Sequence, residues 1–287
     1  MPVVTELQEK LLLQIGDDFA KFHVRIFEPE QSKGVVFYVH DFTGNGADFT
    51  FAANALSASG YTVVCPDLPG RGQSAYLAPR KYNLQIYMNV LAAVYKKFSG
   101  STNILIGQAW GSMLATIFAA STSVRFQKII TLDLPTKWSL SGDKEIAQAA
   151  HDAGMSFQTQ FDALEYLLAK PEFCDLKSDA ETHFLDDRIT EIAESFRFAF
   201  DPGLFKFFGV EKNRVYEIAK VLDGVSSNVF CLYANEISKD TERDIGRVNP
   251  RGNAPVLVAN ATTGKKLHMN TLNQILLVLG CIATLDQ

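Results

Sequence analysis

Residues 103–116 read NILIGQAWGSMLAT, and this stretch decides the fold. Ile104, Leu105 and Ile106 form an apolar run that leads into Gly107-Gln108-Ala109-Trp110-Gly111, and 112–120 then reads as a helix. Strand, tight turn framed by two glycines, helix is the layout of a nucleophile elbow. Such a turn forces its middle residue into a strained conformation, so small residues must flank it two positions away on each side. The middle residue here is Ala109, which carries no nucleophilic atom.

On the N-terminal side, 10–15 and 21–27 read as two short strands joined by Gly16-Asp17-Asp18, a hairpin. The run GVVFYVH at 34–40 is continuously apolar, the mark of a strand covered on both faces. The expected helix 47–59, strand 61–65, helix 83–98 and strand 128–132 complete an alternation of strands and helices. In 83–98 the expected buried stripe is Leu84, Met88, Leu91 and Tyr95. This alternation predicts an α/β fold, a mostly parallel doubly wound sheet with helices on both faces. In such sheets ligands bind at the carboxyl ends of the strands, so the loops after His40, Cys65, Ile106 and Leu132 share one edge.

From residue 136 the pattern changes. The segments 141–153, 156–170, 187–200 and 210–222 read as helices with no strand between them. The alternation resumes with strands at 227–234 and 254–259 and a last helix at 270–283. The expected organisation is a core of residues 1–135 and 227–287 with an inserted helical cap at 136–226. The cap is rich in aromatics (Phe157, Phe161, Tyr166, Phe173, Phe184, Phe196, Phe198, Phe200, Phe205, Phe207 and Phe208). Most are expected to glue the cap together, and two or three to line an apolar substrate pocket.

Hydrophobic residues make up 47% and charged residues 21% of the 287, an ordinary balance for a globular chain. With a net charge of −5 and no basic block, nucleic acid and anionic membranes are not the expected partners. The first eighteen residues lack the basic start and long apolar stretch of a secretion signal, and no apolar run is long enough to span a bilayer. Cys65, Cys174, Cys231 and Cys281 show no metal-ligand spacing and read as free thiols, which suits a cytoplasmic location. Neither a metal nor another cofactor is expected.

The chain resembles the α/β hydrolases. The resemblance rests on Val39-His40-Asp41, on 65–74 (CPDLPGRGQS, with the turn D-x-P-G-x-G-x-S), on Gly107 to Gly111, and on His268 before the last helix. One departure is Asp41, where the family often has glycine after the histidine. The resemblance implies an activated nucleophile at position 109, a histidine base, a carboxylate that orients it, and two backbone N–H groups for the oxyanion. It assigns the base to His268 and the oxyanion hole to the N–H groups of Phe42 and Trp110. His40 is expected to be structural, and His23, His151 and His183 ordinary polar residues. For the carboxylate, Asp133 stands at the end of the strand after the elbow helix, with Asp240 and Glu236 as alternatives after the strand that follows the cap. Ser112, three residues into the helix, does not replace the missing nucleophile.

The intact glycines, His268 and the available acids favour a Ser→Ala replacement at 109. The expectation is a serine hydrolase of the carboxylesterase type, acting on an ester or related acyl bond of a small, partly apolar substrate and inactive with alanine at 109. The alternatives are a natural pseudo-hydrolase that binds a small apolar ligand, and a dehalogenase or epoxide-hydrolase type whose nucleophilic aspartate has been replaced.

Overall fold

The computed structural model describes residues 3–135, 137–138, 144–170, 173, 182–206, 215–222, 224–225, 227–233, 256–258 and 278–282. Among these residues an eight-stranded sheet runs in the order β1-β2-β4-β3-β5-β6-β11-β12. β1 (Val4–Ile15) and β2 (Asp18–Pro29) form an antiparallel hairpin at one edge, each strand longer than the apolar residues alone suggest. β2 also runs antiparallel to β4 (Thr62–Pro66). From β4 onward the neighbours β3 (Val35–Val39), β5 (Asn103–Gln108), β6 (Lys128–Leu132), β11 (Asn228–Tyr233) and β12 (Val256–Val258) are all parallel.

The continuous apolar runs have a direct cause. Side chains alternate faces along a strand, and both faces are covered here. Val35, Phe37, Val39 and Leu105 point into one hydrophobic layer, with residues of α2 (Leu84–Phe98) and α3 (Trp110–Ser121). Val36, Tyr38, Ile104 and Ile106 point into the other, with α1 (Thr50–Ala58) and the helical residues 278–282. α2 starts where Asn83 Oδ1 accepts the Ile86 N–H at 3.0 Å. Its buried stripe is Tyr87, Val90, Leu91 and Val94, rotated from the expected one, in which only Leu91 is fully buried. Lys128, 1% exposed, donates from Nζ to the carbonyls of Cys281 and Ile282 in that helical segment.

The segment between β6 and β11 is not purely helical. α4 (Lys144–Asp152) and α5 (Gln160–Leu168) fall within two of the expected helices. Residues 187–200, expected as a helix, instead finish a 3-10 turn (His183–Arg188) and form a hairpin of β8 (Ile189–Ile192) and β9 (Ser195–Phe198). The hairpin turn uses Ala193 and Glu194 at φ +48° and +61°. β7 (Lys137–Trp138) pairs with β10 (Tyr216–Glu217), which leads into α6 (Ile218–Leu222), so 210–222 is only in part a helix.

Candidate active site

The elbow is built as its sequence demands. Ala109 holds φ +46° and ψ −112° between β5 and α3. Its N–H donates to Leu132 O at 2.7 Å, and its carbonyl accepts from Ser112 N at 3.0 Å, so the strained turn is fixed from both sides. The flanking glycines are required by close approach. A Cβ on Gly111 would lie 2.2 Å from Val39 O, and one on Gly107 would lie 2.5 Å from Ser112 Cα. Ser112 Oγ is buried, donates to Gly107 O at 2.6 Å and accepts from Leu132 N at 3.2 Å, so it stitches the turn instead of facing substrate.

A cavity of about 650 Å³ opens over the turn. Its floor includes Asp41, Phe42, Ala109, Trp110 and Asp133, from the carboxyl ends of β3, β5 and β6. The segment between β6 and β11 supplies the opposite walls, with Trp138, Tyr166, Phe173, Phe198 and Phe200 among the lining residues. Among the described residues, four of the aromatics noted in the sequence therefore reach the cavity. Phe161 instead faces solvent at 65% exposure.

Asp133, itself at φ +53°, is placed by its N–H bond to Leu232 O at 2.7 Å. Asp and Asn tolerate this left-handed region better than most side chains. The structure thus gathers position 109, Asp133, Phe42 and Trp110 at one cavity. His268, Asp240 and Glu236 lie outside the described residues, as do Cys174, Phe207 and Phe208. Cys65, Cys231 and Cys281 are buried and form no disulfide among the described residues.

Three other histidines take structural or surface roles. His40 is fully buried; its Nδ1–H donates to Asp41 O at 2.6 Å, and its Nε2 accepts the Leu68 N–H at 2.9 Å. Burial, reinforced by the Arg71 charge, pushes its pKa down to about 4, so it is neutral at pH 7. His23 Nδ1 lies 2.9 Å from Asp67 Oδ2, and His151 is exposed on α4. Burial would raise the Asp67 carboxyl, but His23 and the N–H groups of Gln73 and Gly46 hold it below its ordinary value. Asp67 thereby ties the D-x-P-G-x-G-x-S turn to the loop after β3, which explains the motif's residue types.

Three contacts at the site do not follow from the sequence, although one of the residues, Asp41, stands out there as a departure from the family pattern. Arg71, with no exposed surface, donates from Nε to Phe42 O at 2.8 Å and from Nη1 to Pro69 O at 2.7 Å and Tyr87 Oη at 2.6 Å. Its guanidinium also sits over the rings of Phe42, Tyr87 and Trp110, which fixes the residues at the edge of the cavity. In the far wall, Asp152 is 1% exposed and pairs with Lys170, Tyr166 Oη at 2.8 Å and Gln148 Nε2 at 2.9 Å. Burial opposes its charge, but these donors hold its carboxyl below the ordinary value. The third is Asp41, whose Oδ1 accepts the backbone N–H of Trp110 at 3.1 Å. The spacing of 69 residues hides this contact in the sequence, although an acid at the end of a buried strand is itself a signal.

Among the described residues no helix is long and apolar enough to cross a membrane, and no group of His, Cys, Asp and Glu is arranged to hold a metal ion. In solved structures, the chain superimposes on an alpha/beta hydrolase from Novosphingobium aromaticivorans with a TM-score of 0.80 at 18% identity, covering 97% of this chain and 98% of that one. It matches the thioesterase domain from the curacin biosynthetic pathway with a TM-score of 0.72 at 18% identity, covering 95% and 99%. Among curated proteins, it is 28% identical to human Protein ABHD8 over 36% of this chain, and it spans about a quarter (24%) of that relative's length. It is also 28% identical to the 3-hydroxybutyrate-oligomer hydrolase of Cupriavidus necator, over 46% of this chain and 45% of that protein. The family model for the alpha/beta hydrolase fold matches residues 34–189, from the start of β3 through the elbow into β8. With the elbow, the parallel sheet and this match in agreement, the chain belongs to the α/β-hydrolase fold family.

Proposed function

We propose that the chain carries the site of a serine hydrolase of the carboxylesterase type, with its covalent step removed by alanine at 109. The observation that carries this is the apex itself: φ +46°, ψ −112° and two sterically required glycines, beneath a cavity of about 650 Å³. A strained turn of this kind serves to aim a nucleophile. In this reading a small, partly apolar acyl substrate rests on Ala109 under residues 136–226, which act as a cap. His268 is the general base. Asp133 orients it, with Asp240 or Glu236 as the alternative partner, and the N–H groups of Phe42 and Trp110 form the oxyanion hole. The buried cysteines, outside any disulfide among the described residues, support a reducing, cytoplasmic setting.

The second reading is a pocket that binds such a molecule without acyl transfer, and the bond between Asp41 and the Trp110 N–H favours it. The test is turnover of p-nitrophenyl acetate, butyrate and octanoate by Ala109→Ser, alone and combined with Asp41→Gly. The serine-hydrolase reading expects ester cleavage from at least one variant. Absence of cleavage in both leaves the binding reading standing.

A further inference from the structure

We infer that the Asp41 carboxylate is the built-in occupant of the oxyanion position and decides which chemistry the site admits; this rests on the acyl-hydrolase reading of the pocket. The N–H that should receive an acyl oxyanion is that of the residue after the apex, Trp110. Asp41 Oδ1 lies 3.1 Å from that nitrogen. The site favours an anion there, because Trp110 opens the twelve-residue helix α3 and its N–H is one of the donors left free at a helix start.

The occupant is held in place. The Asp41 carbonyl accepts from His40 Nδ1 at 2.6 Å and from Gly44 N at 3.1 Å. Beside it, Phe42 is fixed through its carbonyl by Arg71 Nε at 2.8 Å. A tetrahedral intermediate at this site would place its negative oxygen where a carboxylate already accepts the hydrogen. It would lose the donor and meet a like charge. A neutral ligand in the cavity meets neither obstacle. Two side chains therefore separate this chain from acyl transfer: Ala109 withholds the nucleophile and Asp41 fills the hole.

The test compares Ala109→Ser with Ala109→Ser/Asp41→Gly on p-nitrophenyl butyrate. Loss of one oxyanion donor costs about 10²–10³ in kcat. The double variant is therefore expected to exceed the single by at least about 10² in kcat, with KM changed by only a few-fold, since the donor acts in the transition state. Equal kcat overturns the inference while the hydrolase reading stands. Absence of turnover in both overturns the hydrolase reading, and a second measurement then decides the role of Asp41. Hexanoate is titrated into Asp41→Ala, with alanine kept at 109, and the Trp110 amide is followed by ¹⁵N NMR. Binding at least about 10-fold tighter than to the unmodified chain, with the Trp110 amide shifting, supports the inference, because a vacated helix N-terminus takes an anion. Equal binding overturns it. If removal of the side chain prevents folding, Asp41→Asn removes the charge at constant shape, and the same titration must again show tighter binding.

Discussion

Replacing Ala109 by glycine should stabilise the chain, against the usual effect of glycine. At φ +46° and ψ −112° an alanine is held in a region that costs a non-glycine residue about 1–3 kcal/mol. Glycine removes that cost. Its more flexible unfolded chain takes back about 0.4–1 kcal/mol. The lost methyl is only half-buried and returns less than the roughly 0.8 kcal/mol of a fully buried carbon. The net is a stabilisation of about 1 kcal/mol. Ala115 supplies the control, because it is fully buried within α3. Ala115→Gly should cost about 1 kcal/mol in helix propensity and about 0.8 kcal/mol in lost burial. The two glycines should thus differ by about 3 kcal/mol in opposite directions, read from urea unfolding with slopes unchanged. If Ala109→Gly destabilises as much as Ala115→Gly, the apex stores no strain and the reasoning fails.

Other outcomes follow from charges buried around the cavity. Arg188 donates to both oxygens of Asp48, at 2.9 and 2.7 Å, and Asp48 is 3% exposed. Arg188→Ala leaves that carboxylate buried without this partner and should cost about 3–5 kcal/mol. The Arg188→Ala/Asp48→Ala pair should recover much of the loss in a double-mutant cycle; additive losses would show the pair is not coupled. His40 has its pKa pushed down to about 4 by burial, against about 6.5 in an unfolded chain. Its contribution is therefore present above pH 6.5 and is lost as pH falls from there toward 4, because the unfolded state takes the proton first. Between pH 7 and pH 5 the loss is about 2 kcal/mol. Urea unfolding of His40→Gln should lack that part of the slope, and an unchanged slope would refute the burial argument.

The central sheet was legible because burial on both faces leaves so little choice. Runs such as 34–40 and 103–106 must be apolar throughout, and the elbow glycines are imposed by the 2.2 and 2.5 Å approaches. The β8–β9 hairpin was not legible. Its turn is Ala193-Glu194, both at positive φ, without the Asn or Gly that usually announces such a turn. The alternation Phe196, Phe198, Phe200 carried the strand signal, but within fourteen residues it competed with good helix formers. The cavity floor was half legible. Ala109, Trp110 and Asp133 follow from local pattern, whereas the meeting of Asp41 with Trp110 depends on β3 and β5 being neighbours in the sheet.

The seam between the loop after β4 and the chain after β9 has a thermodynamic consequence. Gly72 N donates to Ala199 O and Asp201 N to Gly70 O, both at 2.8 Å, and beside this seam Asn45 Nδ2, from the loop after β3, donates to Asp187 O, just before β8, at 2.7 Å. These bonds join backbone to backbone or side chain to backbone, across segments more than 120 residues apart in sequence. One wall of the cavity therefore shares the cooperative unit of the sheet, and its opening free energy is tied to that of the core. A small molecule held as proposed would then be accommodated at constant shape on this flank, which would act as the ruler for its length.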